Sequence, residues 1–224
     1  MTLQNTLIRA LAVVVATPVI VAACRPSPSP QQSHVPDTGV AAAAPDSFLV
    51  ASQTSKGRVV VQAIRSWAPH GVDRFYELVN ARFYDGAKFF RVLPSYIVQF
   101  GIGSDPSMND QWRERRIPDD SVTQPNVRGM LTFATGGPNT RTTQLFINKK
   151  NNRHLDGMGF APIGNVLEGM EVIDRLYPGY GEGAPEGAGP LQDRIEHEGN
   201  KYLNRYFPLL DSIATARVVR IKPD

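Results

Sequence analysis

Phe89-Phe90-Arg91-Val92-Leu93-Pro94-Ser95-Tyr96-Ile97-Val98-Gln99-Phe100-Gly101 is the stretch from which the fold of this 224-residue sequence can be read. Lys88 to Val92 and Tyr96 to Phe100 are rich in aromatic and β-branched residues, which favour strands. Pro94-Ser95 between them supplies a turn. Arg91 is a lone cation in one of these strands, and Gln99 stands eight residues along, on its neighbour. A charge so placed is ordinarily a solvated surface group, and a glutamine can simply satisfy a buried backbone group. Composition alone leaves both readings open.

Working outward, Phe48 to Ser52 and Arg58 to Ile64 read as a hairpin turned by Ser55-Lys56-Gly57. After Pro69, apolar Val72, Phe75, Leu78 and Val79 share one helical face, and this helix stops near Asn80. Met130 to Ala134, Leu145 to Asn148 and Pro162 to Val166 are further strands. Gly169 to Leu176 reads as a short second helix and Ala216 to Ile221 as a closing strand. Many short strands and few helices predict an all-β barrel or sandwich.

Three segments in order carry a more specific pattern. The opening stretch resembles the cyclophilin motif F-H-R-x-x-P-x-F-x-x-Q-x-G. Gly129-Met130-Leu131-Thr132-Phe133-Ala134, with Gly137-Pro138-Asn139-Thr140 and Thr143-Gln144-Leu145-Phe146-Ile147, is similar to that family's G-x-x-x-M-A-x-x-G-P-N-T-x-x-S-Q-F-F-I. Leu155-Asp156-Gly157, Gly164-Asn165-Val166 and Gly169-Met170 match its third block. With Phe75-Tyr76-Glu77-Leu78 upstream, the resemblance covers roughly residues 47–176. It implies a closed eight-stranded antiparallel barrel capped by two helices, with a groove on its outer face that isomerises Xaa-Pro bonds. It also implies a monomer that needs no cofactor and no metal.

The resemblance names the groove residues. Arg91 would donate a hydrogen bond to the prolyl nitrogen, and Gln99 would steady it. Tyr96, Ile97, Phe146 and Leu155 match the pocket for the proline ring, while Ala134 and Thr135 match the segment that hydrogen-bonds the peptide. Phe146 and Leu155 also read as ordinary core. Phe90 replaces the family's usual histidine, as it often does in the bacterial branch, and Tyr96 replaces phenylalanine. His154 takes the position that is tryptophan in cyclosporin-sensitive members, which implies weak binding of that drug. Phe160 is the candidate for the family's groove histidine, because the chain runs one residue longer after Gly157. A non-catalytic proline-peptide binding or chaperone module on the same barrel stays open as the alternative.

The ends depart from a minimal member. Ala10 to Ala23 is almost wholly apolar, and at fourteen residues it is too short to cross a bilayer core, which needs about 20. It ends in Val21-Ala22-Ala23-Cys24, which resembles a bacterial lipobox. Residues 1–23 are therefore expected to be a signal peptide, with Cys24, the only cysteine, carrying diacylglycerol. An ordinary secretory signal is the other reading. Residues 24–45, dense in Pro, Ser and Ala, read as a tether, and 46–224 as the folded domain, held in the bacterial cell envelope. Gly179 to Pro190 reads as a flexible glycine-rich loop and Leu191 to Tyr206 as an extra helix.

Other classes fit poorly. The 24 Lys and Arg against 21 Asp and Glu leave a net charge of only +3, with no basic stripe interleaved with aromatics, so no nucleic-acid partner is expected. There is no Gly-x-Ser-x-Gly, and His197-Glu198 lacks the later histidine of a zinc protease.

Overall fold

In the first strand, buried residues alternate with more exposed ones over its first half, as a half-buried strand requires. In the computed structural model, which describes residues 43–219, β1 (Ser47–Thr54) buries Phe48 and Val50. Its partner β2 (Gly57–Ile64) buries Val59, Val60, Val61 and Ala63. Thr54 pairs with Gly57, so Ser55-Lys56 is a two-residue turn. Helix α1 (Pro69–Asn80) follows, with Pro69 in its first turn and Val72, Phe75, Leu78 and Val79 buried. The remaining elements are β3 (Arg91–Val92), β4 (Ile97–Phe100), α2 (Pro106–Trp112), β5 (Met130–Phe133), β6 (Leu145–Asn148), β7 (Pro162–Glu168), α3 (Met170–Asp174), α4 (Gln192–Tyr206) and β8 (Ile213–Val219).

All eight strands pair antiparallel, in the order β3-β4-β6-β5-β7-β2-β1-β8. The closed barrel expected from the sequence is corrected here: the strands form an open half-barrel whose ladder ends at β3 and β8. The cause is the brevity of β3. Its two residues pair with β4 alone, and only the chain just before it reaches the other end. It does so through a single Lys88–Ser212 bridge and bonds such as Phe89 N–H to Asp211 O at 3.0 Å.

The inside of the half-barrel is filled by Phe48, Phe75, Tyr84, Phe89, Phe100, Leu131, Phe133 and Ile163, among others. The void left among them is about 30 Å³, room for a water or two but not for a peptide. A peptide site must therefore lie outside. Two smaller clusters sit apart from this core. One joins Phe90 and Ile102 to Ile195, Tyr202, Leu203 and Leu210 of the tail; the other is Ile97, Phe146 and Leu155.

Two features were not expected. Helix α2 begins with Asp105, whose side chain accepts from Ser107 N–H at 2.9 Å, followed by Pro106 at the first helical position. Ala44, grouped above with the tether, is buried and donates its N–H to Asp73 at 2.9 Å. The signal segment and Cys24 lie outside the described residues.

Gly101 ends the segment that begins at Phe89, and its backbone explains why glycine stands there. Its φ is +100°, and a Cβ would sit 2.6 Å from Thr143 O and 2.9 Å from Gln144 Cα. Gly101→Ala is expected to destabilise the fold by about 1–3 kcal/mol, read as a lower urea midpoint. An unchanged midpoint would show that the β4 exit can relax.

Candidate active groove

Strand register builds the groove. Arg91 of β3 pairs with Gln99 of β4, Gln99 with Phe146 of β6, and Phe146 with Thr132 of β5. Directly opposed residues share a face, so the four form one row across the sheet. Along β4 the alternation is clean: Val98 and Phe100 enter the filled interior, whereas Ile97 joins Phe146 and Leu155 in the separate outer cluster. In the segment leading into β3 the alternation breaks. Phe89 and Val92 go inside while Phe90, between them, is buried in the tail cluster and its neighbour Arg91 lines the groove.

Arg91, Tyr96, Ile97, Gln99, Ala134, Thr135, Phe146, Leu155 and Phe160 line one cleft of about 140 Å³. Ile97, Phe146 and Leu155 form its apolar floor, each under 5% exposed. Phe160 meets Phe146 edge-on, ring centres 5.7 Å apart. His154 does not line the cleft. It stacks on Tyr96 at the rim, 5.9 Å between ring centres, with its Nε2 3.5 Å from the tyrosine hydroxyl.

The polar wall is fixed by a relay of hydrogen bonds. Arg91 Nη1 donates to Gln99 Oε1 at 3.0 Å, and Gln99 Nε2 donates to Gln144 Oε1 at 2.9 Å. This relay orients the Gln99 amide, with oxygen toward the guanidinium. Gln144 lies in the second motif, but its place in this relay was not read from the sequence. The Ala134–Thr140 loop is held by Thr135 and Thr140, whose hydroxyls are 2.9 Å apart, and by Gly137 N–H to Thr135 Oγ1 at 3.1 Å. Ala134 N–H is itself taken by Gln144 O. A second cavity of about 370 Å³ adjoins the cleft; it shares Gln99, Ala134 and Thr135 and adds Gln192 from α4.

Behind the floor lies a buried amide network. Asn126 accepts from Thr132 and Asn148, and donates to Asp156 at 2.9 Å and to Phe160 O at 2.8 Å. Asn152 donates to Asn148 and to Tyr96 O. These bonds tie the segment carrying Leu155 and Phe160 to the sheet, with Asn152 Oδ1 the one amide atom of the group left without a partner among the described residues.

A sequence profile described as "Cyclophilin type peptidyl-prolyl cis-trans isomerase/CLD" matches residues 49–197. The chain belongs to the cyclophilin family. A peptidyl-prolyl cis-trans isomerase of Acinetobacter baylyi is 31% identical over 134 residues, 57% of this chain and 71% of that protein. Peptidyl-prolyl cis-trans isomerase A of Dickeya dadantii is 33% identical over 157 residues, 67% of this chain and 80% of that one. Among solved structures, a cyclophilin-type isomerase of Cryptosporidium parvum in the presence of the dipeptide Ala-Pro superposes with a TM-score of 0.55 at 18% identity. That match covers 77% of this chain and 99% of that chain, and it speaks for the fold.

One partner of this groove's arginine had no signal in the sequence. Glu182, from the glycine-rich loop, accepts from Arg91 Nε and Nη2, both at 2.6 Å. Those bonds from Arg91 hold the Glu182 carboxyl below the usual glutamate range, against the opposing effect of partial burial. A depressed carboxyl pKa contributes stability that is complete above the ordinary value of about 4.3 and is lost as pH falls through the lower folded value. The stability difference between wild type and Glu182→Gln is therefore expected to shrink on acidification below about pH 4. Urea unfolding across pH measures it; a pH-independent difference would show that the charge contributes nothing.

Proposed function

We propose that this chain catalyses cis-trans exchange of Xaa-Pro bonds in unfolded, exported proteins, with Arg91 as the group that lowers the barrier. The carrying observation is a guanidinium, oriented by Gln99, on the wall of an apolar cleft floored by Ile97, Phe146 and Leu155.

The bond before proline resists rotation because the nitrogen lone pair is delocalised into the carbonyl. The barrier is about 18–20 kcal/mol, and uncatalysed exchange takes tens of seconds or longer. Rotation breaks no covalent bond, so catalysis requires only that the twisted amide be bound more tightly than either planar form. On twisting, the prolyl nitrogen pyramidalises and regains a lone pair. A guanidinium keeps its charge and presents a rigid fork of donors, so Arg91 would grip that nitrogen only in the twisted state. The proline ring would sit on Ile97, Phe146 and Leu155 against Phe160, which immobilises one side of the rotating bond. Extended peptide would run past Thr135, bonded through its backbone in the manner of an added strand, a mode tolerant of varied flanking side chains.

A charge-assisted hydrogen bond contributes about 1.5–3 kcal/mol, or roughly 10- to 100-fold in rate. Arg91→Ala is accordingly expected to lower kcat/KM for a short Ala-Pro peptide by about 10- to 100-fold, in a protease-coupled or NMR exchange assay. Wild-type turnover no faster than the spontaneous rate, with binding intact, would instead favour a peptide-binding module; an unchanged Arg91→Ala rate would remove the arginine from the mechanism.

The N-terminal pattern supports the same setting. Cleavage before Cys24 and diacylglycerol on its thiol would place the enzyme on a bacterial envelope membrane, its two acyl chains supplying the more than one that stable anchoring needs, with the residues between Cys24 and the packed Ala44 as the tether. Mass spectrometry of the mature protein is expected to find Cys24 first and lipid-modified; an unmodified thiol or another first residue would leave an ordinary secretory signal.

A further inference from the structure

The glycine-rich loop reaches the guanidinium from outside the cleft. Glu182 takes Nε and Nη2 of Arg91 while Gln99 takes Nη1. Three of the five N–H donors of the guanidinium are thus occupied. One N–H on Nη1 and one on Nη2 have no partner among the described residues. Glu182 is not among the residues that line the slot, so the carboxylate grips one edge of the guanidinium and leaves the other edge to the cavity.

The loop is built to hold this carboxylate still. Gly183 N–H donates to Glu182 Oε1 at 3.1 Å, and Gly189 N–H donates to the Glu182 carbonyl at 2.7 Å. Glycine is required for that approach: a Cβ at Gly187 or Gly189 would lie 2.3 or 2.7 Å from the same carbonyl. At the base of the loop, Tyr180 packs edge-on against Tyr177 and Phe207, 5.2 and 5.0 Å between ring centres. Tyr180 and Phe207 pack on the cluster that buries Phe90, the chain neighbour of Arg91. The tail therefore holds β3 by Phe90 and reaches its arginine through Glu182.

We infer that Glu182 is a positioning residue for Arg91, locking the guanidinium plane so that its remaining donors face the slot. The inference rests on the reading of Arg91 as donor to the prolyl nitrogen. A free arginine side chain samples many rotamers, and ordering it at each turnover costs entropy; a bidentate carboxylate fixes that orientation before substrate arrives. The carboxylate also offsets part of the positive field of Arg91, so positioning and attenuation predict opposite signs when it is removed.

The test is kcat and KM measured separately on an Ala-Pro peptide for the full chain, with Glu182→Ala, Glu182→Gln, Arg91→Ala and the double variant Arg91→Ala/Glu182→Ala. Glu182→Ala is expected to lower kcat roughly tenfold and to leave KM within about twofold. Glu182→Gln, which keeps one acceptor and a loop of the same size, is expected to lose less and serves if the alanine variant fails to fold. In the Arg91→Ala background, Glu182→Ala is expected to add no further loss, a result that mere damage to the loop would not produce. An unchanged or higher kcat in both Glu182 variants, with Arg91→Ala impaired, overturns positioning and leaves the arginine mechanism standing. An unimpaired Arg91→Ala overturns both.

Discussion

The groove depends on antiparallel register at the β3–β4–β6 junction. Because Arg91 opposes Gln99 and Gln99 opposes Phe146, a cation, an amide and an aromatic ring share one face of the sheet. A slip of one residue in any of these strands would send its member of the row to the other face, where the packed interior has no room for an arginine. Strong specification follows from the inward residues between them: Val98, Phe100, Leu145 and Ile147 are buried in the core and tolerate no other register. The core thereby sets the position of a site it does not contain.

Two supports of different kind surround that row. On the apolar side, the Asn126–Asn148–Asn152–Asp156 network of buried hydrogen bonds clamps the segment bearing Leu155 and Phe160. On the polar side, Gln144 and Glu182 immobilise Gln99 and Arg91. Both raise the precision of the groove more than the stability of the fold. An Arg91–Glu182 pair with side chains 20% and 32% exposed adds little to folding, since partly solvated ion pairs contribute little, yet it constrains the orientation of the guanidinium.

The tail links family departure to architecture. Phe90, standing where many cyclophilins carry histidine, is 2% exposed against Ile195, Tyr202 and Leu203. The apolar substitution and the extra helix answer one another, since a partly hydrated histidine ring would sit poorly under α4. The loop expected to be flexible is tied at Glu182, Gly183 and Gly189, and Gln192 from the adjoining helix borders the second cavity.

Local signals in the amino-acid sequence determined the strands and the amphipathic helix after Pro69, because side-chain alternation and turn residues act over a few positions; the cleft residues were named only by the cyclophilin resemblance, and of these His154 stands against Tyr96 rather than in the cleft. The open edge of the half-barrel, the break of alternation that turns Phe90 outward, and the pairing of Arg91 with a carboxylate 91 positions away belong to tertiary structure. Each is decided by how distant segments pack, and no periodicity within a single segment encodes which carboxylate a folded tail will bring to an arginine.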